Sequence, residues 1–168
     1  MSTLALIEQG FWAFVATLGF AVLFNVPTRM LLVCGVAGAL GHMWKRVLMA
    51  HGIDVVTSTF VGAMVVGLVG YTQARFFHMP RLIFTVTGII PMVPGVPAFE
   101  TMVYFMRDDI STGLETLVRA GLIGGAIAVG LVTARLLVSF GDRDNMEHPR
   151  GLWQRSMLQM HTGHARED

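Results

Sequence analysis

The chain has 168 residues, of which 54% are hydrophobic and only 14% are charged, and its formal net charge is +1. Since a soluble domain carries about a quarter charged residues, this composition is typical of an integral membrane protein. The near-neutral balance and the lack of a basic, aromatic-rich stripe exclude a nucleic-acid partner. Cys34 is the only cysteine, which excludes an internal disulfide and a cysteine metal cluster, and we expect no metal ion and no cofactor.

The first two apolar runs cover residues 4–26 and 30–50. The first is long enough to cross a membrane and lacks the basic leader and small-residue cleavage site of a signal peptide. We therefore expect a retained helix that ends before Pro27. The second run carries Lys45 and Arg46 in its last third. It either crosses as a short tilted helix or folds back as a re-entrant segment, and we favour the crossing.

Three further apolar runs cover residues 55–74, 82–106 and 117–140. We therefore predict an all-α, polytopic membrane helix bundle over residues 1–140, with four to five transmembrane segments, one of them broken by a Pro/Gly loop. Residues 141–168 are expected to form a charged cytoplasmic tail. More positive charge lies on the side of the tail, which predicts a cytoplasmic C-terminus and, with five crossings, an external N-terminus.

The broken run contains Pro91, Pro94 and Pro97, with Gly95 among them. Proline in a helix interior costs about 3 kcal/mol or more, and three in succession predict a non-helical segment between two half-helices. Within hydrocarbon such a segment must be buried in protein or line a wet cavity, and broken helices form the binding sites of secondary transporters. We expect the second half-helix to open at Pro97 and Ala98, with its amides and positive dipole end directed at an anionic group.

Other intramembrane polar residues are candidate site residues. Glu100 is either a proton carrier or cation partner, or a helix N-terminal carboxylate that faces a polar cavity or an arginine of a partner. His42 is either a proton-coupling and substrate-binding group or an interface histidine. The hydroxyls of residues 57–59, Ser58 among them, either cap the next helix or bind substrate, and capping is favoured. Thr87 precedes the break and either bonds back to a helix carbonyl or contacts the solute.

Glycines mark the helix faces that we expect to pack closely, because close backbone approach drives helix association in lipid. Three helices carry such glycines: one has a repeat every three residues, one has three glycines, and one has a small-xxx-small pair followed by a further glycine. In that order they are Gly35, Gly38 and Gly41, then Gly62, Gly67 and Gly70, then Gly121 and Gly125 followed by Gly130.

The sequence resembles the smaller component of the threonine/serine exporter family, which includes two-component succinate exporters. The resemblance rests on the stretches FNVP (24–27), GALGH (38–42), STF (58–60) and FTVTGIIPMVPGVPAF (84–99). It implies a bacterial inner-membrane exporter of threonine and serine or of C4-dicarboxylates such as succinate, driven by the proton gradient and working with a larger membrane subunit. The positions that match the pattern are Asn25, Pro27, Gly41, His42, Pro91, Pro94 and Gly95. Glu100 is not a position where the family is expected to carry a carboxylate.

Two other classes of protein stay open. A membrane-embedded enzyme is disfavoured, because the sequence has no HExxH, no GxSxG and no paired carboxylates with a histidine partner. A scaffold would only support a larger transporting subunit, and the broken helix argues for a direct role instead. The expected partners are thus the larger subunit and a small polar or anionic solute, and self-association remains an open alternative.

Overall fold

The computed structural model describes residues 3–78 and 80–143, and within these it describes the side chains of residues 4–78 and 80–140. The described residues form six α-helices, one short 3-10 helix and no strand. The helices are α1 (Thr3–Leu23), α2 (Thr28–Ala50), α3 (Val55–Phe77), α4 (Arg81–Ile89), the 3-10 helix (Ile90–Met92), α5 (Gly95–Met106) and α6 (Ile110–Arg143). The compact unit of the bundle extends to Arg135. The predicted charged tail lies almost entirely outside the described residues.

The predicted all-α membrane bundle is confirmed. Four of the described helices, α1, α2, α3 and α6, are long and apolar enough to cross a membrane. The segments Arg81–Met92 and Gly95–Met106 form a bent pair, and they make a fifth crossing if they act as one broken span. The second apolar run forms one continuous helix of 23 residues, the length of a crossing.

Glycines allow α2 to lie close to α3. A Cβ atom added to Gly62 would lie 2.9 Å from the carbonyl oxygen of Gly41, and one added to Gly41 would overlap the side chain of Val66. On the other side of α2, a Cβ on Gly38 would overlap Thr17 of α1. The glycine repeat of α2 therefore serves close helix packing, as expected.

The glycine pair of α6 does not pack in this way. A Cβ added to Gly121 or Gly125 would meet no atom within 4 Å among the described residues. The expectation that this pair makes a close contact within the bundle is therefore wrong. Gly130, one turn further on, makes the contact instead, since a Cβ there would lie 2.5 Å from the carbonyl oxygen of Phe60.

Two apolar clusters form the core. The first joins the end of α1 to α2, α3 and α4, with Phe84 fully buried, and the second joins α3 and α6 to the 3-10 helix through Met92. Their buried members are Ala21, Val26, Met30, Cys34, Ala74 and Phe84, and Ala63, Val66, Met92, Ile123 and Ile127. The break is therefore anchored in the core by Met92.

Asn25 ends α1 in the left-handed conformation, with φ of 55°. Its amide donates to the carbonyl of Val22, and the amide of Val26 donates to the carbonyl of Ala21. This is the Schellman arrangement, in which Asn is one of the few residues that accept a positive φ. Asn25 thus has a structural explanation at the exposed end of α1.

Asp54 caps α3, because its carboxylate accepts a hydrogen bond of 2.8 Å from the amide of Val56. The helix begins at Val55, so the hydroxyls of residues 57–59 lie within it, and the expectation that they cap it is wrong. Ser58 and Thr59 instead donate to the carbonyls of Ile53 (3.4 Å) and Val55 (2.6 Å).

Candidate functional site

The break divides the bent pair formed by Arg81–Met92 and Gly95–Met106 near its middle. The nine residues of α4 extend about 14 Å at 1.5 Å per residue. The 3-10 helix, which contains Pro91, follows, and the two segments of the pair differ in direction by 51°. Since the hydrocarbon core is about 30 Å thick, the break lies about halfway across it if the pair acts as one broken span. This is the predicted non-helical segment, formed by Val93 and Pro94 between two half-helices.

The second half-helix begins at Gly95, two residues before the expected start at Pro97. Pro97 is accommodated in the first turn because the amide at that position needs no intrahelical partner. The amide of Gly95 donates to the carbonyl of Val93 (2.8 Å), and that of Ala98 donates to the carbonyl of Pro94 (3.1 Å). Among the described residues, this leaves only the Val96 amide of this turn without an acceptor. The expected array of free amides is therefore reduced to one.

His42 of α2 lies beside the break, and its imidazole interacts with the backbone carbonyl of Pro91. The residue is half-buried. Its Nδ1 atom is buried and has no hydrogen-bond partner among the described residues. A buried polar atom without a partner is uncommon, since most such atoms in folded proteins are hydrogen-bonded. The structure thus brings together two of the residues singled out in the sequence, and it leaves a polar atom free beside them.

Along α2 and α4 the contacts advance in the same direction, so the two helices run side by side and parallel. Cys34 contacts the hydroxyl of Thr87, and His42, two turns later, contacts Pro91, one turn after Thr87. The buried Thr87 donates to the carbonyl of Ile83 at 2.7 Å, as an intrahelical threonine does. Thr87 therefore lies about one turn before the break, and its hydroxyl proton already forms a hydrogen bond within α4.

Two cations that the sequence analysis treated only as flanking charges lie one turn beyond His42. Lys45 is half-buried, and its Cβ would lie 3.2 Å from a Cβ on Gly62 of the neighbouring helix. The guanidinium of Arg46 donates to the amide oxygen of Gln9 on α1. The spacing of three and four residues after His42 was the available signal, because it places all three groups on one helix face.

The remaining candidates fall into two places. Ser58 is buried one turn before Gly62 on the same face of α3, toward α2. Gly95, Ala98 and Glu100 are exposed on α5. Among the described residues, no group of three His, Cys, Asp or Glu side chains could hold a metal ion.

A sequence model of the family described as Threonine/Serine exporter, ThrE, matches residues 9–137, which include all but the ends of the helical bundle. No solved structure matches the chain. The match and the long apolar helices identify a multi-pass membrane protein and a transporter. The chain belongs to the threonine/serine exporter family.

Proposed function

We propose that the chain is a subunit of a bacterial inner-membrane secondary exporter of small hydrophilic metabolites that carry a carboxylate. The solute class is threonine and serine or C4-dicarboxylates such as succinate, and the proton gradient drives the export. The family match supports the amino-acid class directly. In this proposal the C-terminus is cytoplasmic and a larger membrane subunit completes the transporter.

The observation that carries the proposal is the contact of His42 with Pro91 at the middle of the broken span. Transporter sites are built where unwound backbone at the midplane meets a neighbouring helix. The free polar groups there replace the hydrogen bonds that the solute makes to its hydration shell. The unpartnered Nδ1 atom of His42 is such a group. We infer that a solute hydroxyl or ammonium group binds beside Pro91, and that His42 also takes part in proton coupling.

Positive charge near the break supports a carboxylate-bearing solute. Lys45 and Arg46 follow His42 on the same face of α2. Among the described side chains, no carboxylate interacts electrostatically with Lys45. Taking an unpaired cation into the membrane costs about 2.5–3.5 kcal/mol on insertion scales, and a bound anion reduces that cost. Lys45 therefore favours a solute that presents a carboxylate to this end of the site.

The exposed position of Glu100 supports the proposal that a larger membrane subunit packs against this chain. It is exposed on α5 and lies six residues, or about 9 Å, before the helix ends at Met106. Its neighbours on the surface of α5 are large apolar side chains, among them Phe99 and Met102. A carboxylate at that depth is unfavourable against lipid, so we infer that a second chain covers this face of α5 and supplies a donor to Glu100.

Efflux from intact cells tests the proposal. Cells that hold this chain, the larger subunit or both are loaded with labelled threonine or succinate, and efflux is followed with and without an uncoupler. We expect export only with both chains and its loss with the uncoupler. Failure to export either solute with both chains present would overturn the substrate class.

The His42→Gln variant tests the site. We expect normal amounts of protein in the membrane and loss of most export, because Gln cannot replace a titrating imidazole. His51→Gln is the matched control, since His51 follows the same helix but is exposed beyond its end. Loss of assembly in the His42 variant, with co-purification of the larger subunit abolished, would favour a scaffold instead.

A further inference from the structure

A cavity lies where α3, the start of α4 and the last part of α6 meet. Its volume is about 510 Å³, which lies in the range of ligand sites. Two of its lining residues are arginines, Arg81 and Arg135. The lining also includes Tyr71, Leu82, Thr85 and Val132.

The arginines bring positive charge to a place within or beside the hydrocarbon. Arg81 is the first residue of α4, and its guanidinium lies over the ring of Tyr71, 5.3 Å from the ring centre. Arg135 lies eight residues, or about 12 Å, before the end of α6 at Arg143. Neither forms a salt bridge with a carboxylate among the described side chains. A cation at that depth is stabilised by an anion or by reaching the headgroup region.

The other polar groups of the cavity are already engaged. The hydroxyl of Tyr71 accepts a hydrogen bond of 3.5 Å from Arg75, and the hydroxyl of Thr85 donates to the carbonyl of Arg81 at 2.9 Å. The walls between the arginines are apolar, and Leu82 and Val132 continue onto the exposed surface of the helices. A hydrophilic solute would therefore find two cations but few hydrogen-bonding partners. An anion with a long apolar part matches both features.

We propose that this cavity binds an anionic phospholipid. Its phosphate lies between Arg81 and Arg135, and one acyl chain follows Leu82 and Val132 along the outer surface. Basic pockets between transmembrane helices bind anionic headgroups by this combination of charge and apolar contact. The site is separate from the proposed transport site. It lies between the first turn of α4 and α6, so a bound lipid would hold α4 against α6.

Lipid binding to the purified full-length chain tests the proposal. The chain is titrated in detergent with phosphatidylglycerol or with phosphatidylcholine of the same acyl chains, and bound lipid is counted by native mass spectrometry. We expect phosphatidylglycerol to bind more tightly. Arg81→Gln and Arg135→Gln should each weaken its binding about fivefold, the usual contribution of one arginine beside an anionic lipid, and the double variant more strongly.

Two further variants keep the test decisive. Arg119→Gln removes an exposed arginine of α6 that does not line the cavity and should leave lipid binding unchanged. Val132→Trp fills the cavity while both charges remain, and should weaken binding even if an arginine variant fails to fold. Equal binding of the two lipids, or an equal loss in Arg119→Gln, would overturn the proposal. So would displacement of phosphatidylglycerol by inorganic phosphate or succinate at equal concentration, because the ligand would then be a free anion.

Discussion

The α2–α3 contact and the break between α4 and α5 lie at the same depth of the bundle but are built in opposite ways. At Gly41 and Gly62 the two backbones approach so closely that a single added methyl group would meet a carbonyl oxygen. At Gly95 the same addition would meet nothing within 4 Å among the described residues. Met92 touches both regions, because it is buried in the cluster that also contains Val66.

The comparison separates two uses of glycine and proline in a membrane. On α2 and α3, small residues remove side chains so that two continuous helices form one rigid unit. In the break, prolines remove backbone donors so that one helix ends and another begins, with open space around the junction. Substitutions in the first region should therefore damage the fold, and substitutions in the second should damage transport while the fold remains.

The largest effect is expected for Gly62→Leu. The new side chain would collide with the carbonyl of Gly41 and with Met92, and overpacking of this kind costs about 3 kcal/mol. Thermal unfolding of the purified chain in detergent measures the loss. Gly121→Leu is the control, because the space beside Gly121 is open. Equal destabilisation by both variants would contradict the assignment of the effect to the close contact between α2 and α3.

Pro94→Ala should produce the opposite pattern. Loss of the proline changes stability by less than about 1 kcal/mol, since its main effect is on the unfolded chain. It allows α4 and α5 to approach a continuous helix, and export should fall about tenfold, which corresponds to a barrier higher by about 1.4 kcal/mol. Efflux and thermal unfolding are measured on the same variant. Pro27→Ala, also a proline directly before a helix, should retain export.

A smaller effect is expected where the second half-helix is tied to α6. The hydroxyls of Thr101 and Thr116 are hydrogen-bonded at 3.0 Å, and the Thr101 hydroxyl also lies 2.8 Å from the carbonyl oxygen of Pro97 in its own helix. Thr101 is the buried residue of α5. Thr101→Val should cost about 0.6 kcal/mol, the average for such bonds in a membrane protein. Thr133→Val is the matched control, because Thr133 donates only within its own helix, to Val129. A loss of stability in the control as large as in Thr101→Val would contradict a stabilising hydrogen bond between α5 and α6.

The smallest effect concerns Asp109 in the turn after α5. Hydrogen bonds from Thr112 and Ser111 hold the pKa of its carboxyl below the usual 3.8. A lowered pKa in the folded chain means that the carboxylate contributes stability above the unfolded value and loses it as the pH falls through the folded value. Melting temperatures at decreasing pH should therefore fall less below about pH 4 in Asp109→Asn than in the wild type. Asp108→Asn is the matched control, because the hydrogen bonds from Ser111 and Thr112 go to Asp109.

Much of the fold was predictable, because the lengths of the apolar runs fix the spans and three prolines cannot lie in one straight helix. The bounds of α2 and the position of the break follow from these two constraints. The contact between His42 and Pro91 did not follow, since it depends on α2 and α4 packing side by side, and no local pattern encodes which helices are neighbours. The cap of α3 was missed although an aspartate directly before an apolar run is an ordinary cap signal.

Gly121 and Gly125 show a different limit of sequence reasoning. Their spacing is that of a packing pair, but spacing gives the face of a helix and not the neighbour of that face. Gly130 packs against α3 and the pair does not. The same limit applies to Lys45, because a charge near the end of an apolar run has the same sequence pattern whether it faces the headgroups or a neighbouring helix.

The burial of Cys34 has a practical consequence. Its side chain is fully enclosed between α1, α2 and α4, and the chain has no other cysteine. A membrane-impermeant maleimide should therefore leave the native thiol unmodified. A cysteine introduced at the exposed Val93 or Gly95 would then be the only reactive thiol. Labelling with the reagent on one side of the bilayer at a time would show from which side the break is accessible to water.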